Sequence, residues 1–177
     1  MIGFQTILAR LRHIGIRAGL EAISLVPPSL QRGRWSGRGI IFTLHHVRPR
    51  SSRAFQPNAL LSVTPEFLES AICVALECGL APVRLDQVPA ELAQDEGSPF
   101  FAVTLDDGYR NNAEHAAPVF RRFGVPYTIF VTAEFSNRLR SPWWEVAERT
   151  LQTASHLNFD FGDGVRTYPA ATIAQKT

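Results

Sequence analysis

Three continuous apolar runs stand out along the chain: IIFTLHHV (40–47), PFFAVTL (99–105) and VPYTIFVT (125–132). Each is bounded by turn residues and rich in β-branched and aromatic side chains, which predicts buried strands. Between them the apolar positions recur at helical spacing. Thr64 predicts a helix N-cap with Pro65 in the first turn, and Phe67, Leu68, Ala71, Ile72, Ala75 and Leu76 form one stripe that ends at Gly79. APVRL (81–85) reads as a short strand and DQVPAELAQ (86–94) as a short helix capped by Asp86. NNAEHAAPVFRRFG (111–124) reads as a helix closed by Gly124, with Val119, Phe120 and Phe123 inward. PWWEVAERTLQTA (142–154) reads as another helix.

Strands that alternate with helices, each strand apolar at nearly every position, predict a parallel sheet covered on both faces. The alternation fades after about residue 155, and 155–177 reads as a turn-rich tail that leaves the series unclosed. DFGDG (160–164) within it reads as a turn, because none of the elements that accompany a kinase metal motif is present. The unclosed series predicts that the chain is the N-terminal portion of something longer. The N-terminal stretch, with Arg10, Arg12 and Arg17 among apolar residues, predicts an amphipathic helix that ends before Pro27-Pro28. Its default role is packing on the domain, with weak membrane-surface contact as the lesser reading. Two regions are expected: 1–37, helix and linker, and 38–177, the main domain.

Composition adjusts this picture only slightly. The 177 residues are 45% hydrophobic and 19% charged, enough to build a core, and the net charge of +2 gives no argument for nucleic acid. Lys176 is the only lysine among 18 basic residues, and the arginines are scattered. No run approaches the ~20 apolar residues of a membrane span. No uninterrupted apolar core of a secretory signal occurs either, so a cytoplasmic location is expected. Cys73 and Cys78 fall on one helix, too far apart for a disulfide, and read as small buried hydrophobes.

The candidate chemistry lies in FFAVTLDDGYRNN (100–112), where Asp106 and Asp107 stand together at the end of an apolar strand, before Gly108. Side chains alternate along a strand, so Phe101, Val103 and Leu105 share one face and Ala102, Thr104 and Asp106 the other. Asp107 falls where the strand ends, and Gly108 permits a sharp exit. Both carboxylates can then reach one pocket at the strand's mouth. Such a pair needs a cation to offset its repulsion, and a divalent metal on one carboxylate would leave the other as a base. An Asp-Gly turn is the plainer alternative, but two acids directly after an apolar strand favour function. A phosphatase-type pair has different spacing, and the twelve-residue calcium loop lacks its register here.

VTLDDGYRNN followed by AAPVFRRFGVPYTIFVT resembles the polysaccharide deacetylases of the NodB-homology group, carbohydrate esterase family 4, including the chitooligosaccharide deacetylases. Their first motif reads Thr-Phe-Asp-Asp-Gly, and Leu105 for Phe is the departure here. FTLHHVRP resembles the opening Tyr-His-x-Val strand of one branch, and WWEVAER a segment of that branch, so the likeness spans about 38–150.

The resemblance implies an incomplete (β/α) barrel of the polysaccharide deacetylase type, mostly parallel, with an extra N-terminal helix. It implies a hydrolase of carbon–nitrogen bonds that removes acetyl from an N-acetylated oligo- or polysaccharide. Asp106 matches the general base, Asp107 a ligand of a divalent metal, often zinc, and His45 a substrate-lining position. The family's second motif, His-(Ser/Thr)-x-x-His, is absent, because His13, His45, His46, His115 and His156 do not form it. His115 reads as a surface or capping residue. The chain thus carries the first motif alone and is expected to show little activity by itself. A degenerate, non-catalytic glycan-binding or interaction module is the alternative.

Overall fold

A computed structural model of the chain describes residues 37–94 and 97–176, with scattered positions between 14 and 25. Two units are distinguished, Met1–Gly37 and Arg38–Thr177. In the first, Ile14, Gly15, Arg17–Gly19, Glu21 and Ala22 are helical, and Arg17 Nε lies 3.0 Å from Glu21 Oε1, one turn on. The remainder of the expected N-terminal helix, its end before Pro27, the linker and His13 lie outside the described residues. Among the described residues no helix is long and apolar enough to cross a membrane.

The second unit is a mixed α/β structure around one strand. β5 (Phe100–Leu105) is buried at all six positions. It runs parallel to β1 (Gly39–Leu44) along its whole length, Gly39 opposite Phe100 and Leu44 opposite Leu105. Two short parallel strands also pair with it: β4 (Ala81–Pro82) at Phe100–Phe101 and β6 (Thr128–Ile129) at Thr104–Leu105. Both of its faces are covered, so neither needs to be polar, which is why its sequence is a continuous apolar run. Gly39 has a steric reason: a Cβ there would stand 2.3 Å from the Phe100 ring. The core comprises Val47, Phe101, Val103, Leu105 and Val125, with Leu68, Ile72 and Ala75 of α1 (Pro65–Glu77) and Ala116, Val119 and Phe120 from the following helix. The expected parallel strands and covering helices are therefore present, and among the described residues no closed barrel is formed.

Several local expectations are met. Thr64 Oγ1 accepts the Phe67 N–H at 3.2 Å and caps α1, with Pro65 in its first turn. Gly124 takes φ 63° at the end of α3 (Ala117–Phe123), the left-handed stop that glycine accommodates without strain.

Others are corrected. The strand expected over 40–47 is broken at His45: β2 (His46–Val47) leaves the main sheet and pairs with β3 (Ser62–Val63). Phe67 and Leu76 of the α1 stripe are exposed, since only Leu68, Ile72 and Ala75 face the sheet squarely. Asp86 caps nothing. It lies inside a 3₁₀ turn, Leu85–Gln87, and forms a two-point ion pair with Arg84, while α2 covers Val88–Ala93. Cys73 is half-buried and Cys78, at the end of α1, is exposed; both are free thiols.

The helix after the acidic pair begins with a π-helical turn, Asn112–Ala116, in which Ala117 N–H reaches back to Asn112 O. Pro118 explains it. A proline inside a helix has no N–H to donate and crowds the preceding turn, and a widened turn absorbs both effects. Beyond β6 come a short α4 (Ala133–Ser136) and α5 (Trp143–Thr153).

The tail beyond residue 155 is more regular than expected. β7 (His156–Asp160) and β8 (Val165–Pro169) form an antiparallel hairpin, followed by a helical turn α6 (Ile173–Lys176). DFGDG is its turn, as expected: Asp160 Oδ1 accepts N–H groups from Gly162 (2.7 Å) and Gly164 (3.0 Å).

Candidate functional site

β5 delivers the acidic pair to its carboxyl end, and the sheet fixes where it stops. Asp106 N–H donates to Leu44 O at 2.8 Å, and Leu105 O accepts Phe130 N–H at 2.8 Å. Asp106 is thereby held between the ends of β1 and β6. Asp107 and Gly108 then both take left-handed backbone, φ 66° and 68°. Aspartate is among the few residues that tolerate this region. At Gly108 a Cβ would also lie 3.2 Å from both Val131 Cγ atoms, so the sharp exit expected of Gly108 is present. The turn separates the two carboxylates. Asp107 Oδ1 is 3.4 Å from Thr132 Oγ1, a long hydrogen bond on the β6 side. Asp106 Oδ2 is 3.9 Å from His45 Nε2 on the β1 side, both side chains about a third exposed (35% and 34%).

His45 and Asp106, distant in sequence, thus share one mouth. The break at His45 also sends the two consecutive histidines to different environments. His46 is 2% exposed. Its Nδ1 is 2.9 Å from Asn111 Nδ2, and its Nε2 is 3.0 Å from Glu145 Oε1 on α5. The proton position follows from the neighbours. Asn111 Oδ1 accepts Val47 N–H at 3.2 Å, so the amide presents its NH₂ to the ring. Nδ1 must then accept, and Nε2–H donates to Glu145. Burial, and next the nearby Arg48 guanidinium, lower the His46 pKa below 6.5, against the pull of Glu145. A neutral ring with a single tautomer is the result.

Tyr109 completes this wall. Its ring lies 3.7 Å from the His46 ring, centroid to centroid, and its hydroxyl accepts Trp144 Nε1–H at 2.9 Å. Burial pushes its pKa up to about 12, with Asp107 and Glu145 adding to the rise, so the phenol stays protonated. Farther along α5, Glu148 is buried (8% exposed) and accepts from Asn58 Nδ2 (3.1 Å) and Gln152 Nε2 (3.0 Å). Asn58 Nδ2 also donates to Trp144 O at 2.9 Å.

The arrangement therefore has an open side, Asp106, Asp107 and His45, and a closed, hydrogen-bonded side, His46, Asn111, Tyr109, Trp144 and Glu145. The sequence singled out the three on the open side. It missed His46, Asn111, Tyr109 and Glu145, whose partners are far apart along the chain. His115 is half-buried on the π-helical turn, and His156 is exposed on β7, away from any motif. Among the described residues, no group of three His, Cys, Asp or Glu side chains could hold a metal ion. Asp107 alone does not make a zinc site, because structural and catalytic zinc ions take three or four protein ligands. The described residues do not by themselves fit the metal that the resemblance implies.

The sequence profile of the polysaccharide deacetylase family matches residues 93–167. Over that segment the chain is similar to the polysaccharide deacetylase family. The matched segment holds β5, the Asp106-Asp107-Gly108 turn, α3, β6, α5 and most of the hairpin, so it extends into the tail that the sequence alone read as turn-rich. His45 and the opening strand lie upstream of the matched residues.

Two solved structures are similar. IcaB from Ammonifex degensii is 21% identical, with a TM-score of 0.44 over 52% of this chain and 37% of that one. A de-N-acetylase from Aggregatibacter actinomycetemcomitans is 14% identical, with a TM-score of 0.45 over 75% of this chain and 45% of that one. The chain spans less than half the length of either. No curated protein matches it.

Proposed function

We propose that the mouth of β5 is the proton-transfer half of a site that hydrolyses the N-acetyl group of an N-acetylated sugar. The observation that carries this reading is the placement of the Asp106-Asp107-Gly108 turn, inside the deacetylase segment, at the open carboxyl end of the central strand with His45 beside Asp106. In parallel α/β structures, ligands bind beyond the carboxyl ends of the strands.

Asp106, about a third exposed and tied to the end of β1 by its N–H, is assigned as the general base. It accepts a proton from a water that adds to the acetamide carbonyl; collapse expels the sugar amine, which takes a proton, and leaves acetate. His45 is assigned to the substrate side of the same mouth. Asp107 is assigned as the carboxylate offered to a divalent ion, zinc being the ion that the family resemblance suggests, with further ligands from outside the described residues. The substrate is assigned as an N-acetylated oligo- or polysaccharide. A non-catalytic glycan-binding role has no observation in its favour.

The test is acetate release from N-acetylglucosamine oligomers, with zinc titrated in parallel. The chain should bind zinc no more tightly than micromolar and turn over slowly, and Asp106→Asn should lower the residual rate by about 10²–10⁴-fold, the range for a lost general base. Stoichiometric sub-micromolar zinc binding contradicts the incomplete site. A rate unchanged in Asp106→Asn contradicts the role of that residue.

A further inference from the structure

Immediately beyond β2 the chain forms a cleft of about 470 Å³, whose walls include Arg48, Arg50, Ser51, Ser62, Thr64 and Phe67. Two guanidinium groups, three hydroxyls and no carboxylate line it. Arg48 Nε donates to Ser62 Oγ at 3.0 Å, which orients the guanidinium and leaves its terminal nitrogens for another partner. Phe67 is 61% exposed at one wall, although its place in the α1 stripe predicts burial.

A neighbouring cleft of about 260 Å³ shares Arg48, Ser51 and Gln56 and adds Arg53 and Arg149, but it also contains Glu145 and Glu148. Those two carboxylates would repel an anion, whereas the larger cleft has nothing to repel one. Guanidinium groups recognise phosphate and carboxylate through paired, charge-assisted hydrogen bonds, and an exposed aromatic ring offers an apolar face to a sugar. Arg48 follows His45 by three positions in the chain, directly after β2.

We propose that the cleft formed by Arg48, Arg50, Ser51, Ser62 and Phe67 is a subsite for an acidic sugar, the guanidinium groups taking its oxyanion and Phe67 its ring. The assignment of that sugar to the substrate rests on the deacetylase reading; the anion site itself does not.

The experiment is an NMR titration of the ¹⁵N-labelled chain with three probes: N-acetylglucosamine 6-phosphate, glucuronate and neutral N-acetylglucosamine. The acidic sugars should saturate shifts at residues 48–51 and Phe67, and their relative affinities identify the oxyanion as phosphate or carboxylate. Arg48→Gln/Arg50→Gln should weaken the better acidic probe by at least about tenfold, the loss expected from one charge-assisted hydrogen bond. The charge-matched Arg53→Gln/Arg149→Gln, which removes the two arginines that line only the other cleft, should change it less than about twofold by the same reckoning. Arg50→Gln alone removes an exposed side chain that makes no hydrogen bond or ion pair among the described residues, and guards against loss of folding.

Saturation by neither acidic probe overturns the subsite. So does an equal loss in both double variants, which would report net charge only. Neutral N-acetylglucosamine reads the deacetylase proposal separately, at His45 and residues 106–109. Acidic-sugar shifts in the cleft without neutral-sugar shifts at that mouth leave the anion site standing and remove its link to deacetylation.

Discussion

His45 and His46 are consecutive, yet the first leaves about a third of its side chain in solvent, 3.9 Å from Asp106, while the second is 2% exposed with both ring nitrogens bonded. The bend between β1 and β2 divides them. On the open side, Asp106, Asp107 and His45 have few partners and can exchange them for a ligand. On the closed side, His46, Asn111, Tyr109, Trp144 and Glu145 satisfy one another and tie α5 to the end of β2. Groups that must react are left under-bonded, and the geometry around them is held by groups that are fully bonded.

Truncating the closed side should cost the most. His46→Ala leaves Glu145 and Asn111 without their shared partner and opens a buried void, and should destabilise the chain by roughly 2–4 kcal/mol in urea unfolding. A loss under about 1 kcal/mol would show that the network is dispensable.

Gly108→Ala sits at the junction of the two sides. Its left-handed φ of 68° and the 3.2 Å approach of its Cβ to Val131 act together, for a loss of about 1–2 kcal/mol.

The pH response separates the sides further. The folded pKa of His46 is lowered from 6.5 by burial, so the unfolded chain binds the proton more readily. Its contribution is present above about pH 6.5 and is lost as pH falls through the lowered folded value. Urea unfolding between pH 7.5 and 5 should show declining stability, and His46→Gln should flatten part of that slope. Identical slopes would mean that the ring does not enter folded and unfolded states with different proton affinities.

The smallest effect belongs to His45→Ala. A side chain about a third exposed, with no hydrogen bond within ordinary distance among the described residues, should change stability by no more than about 0.5 kcal/mol. Equal losses at His45 and His46 would erase the distinction between the two sides.

The open side was legible in the sequence, and the closed side was not. Asp106, Asp107 and Gly108 announce themselves locally, because an apolar run, two acids and a glycine within one stretch define a strand mouth. β5 was legible for the same reason: burial of both its faces makes its run apolar at nearly every position. His46 meets Glu145 across 99 positions and Asn111 across 65, and no local pattern encodes such pairings. The hairpin was missed on other grounds. HLNFD and VRTYP alternate, but only Leu157 and Tyr168 gain partial burial, so the apolar signal that would mark strands is weak. The π-helical turn before Pro118 was readable in principle, since a proline that deep in a helix has to be accommodated by a changed turn.

The central claim is that an N-acetylated sugar binds at the mouth of β5, against Asp106. Its most direct test is an NMR titration of the labelled chain with an N-acetylglucosamine tetramer, read residue by residue. The account predicts saturable shifts concentrated at His45, Asp106, Asp107, Gly108 and Tyr109, unmoved at the hairpin 156–169. Shifts that never saturate, or that centre away from these residues, would contradict it.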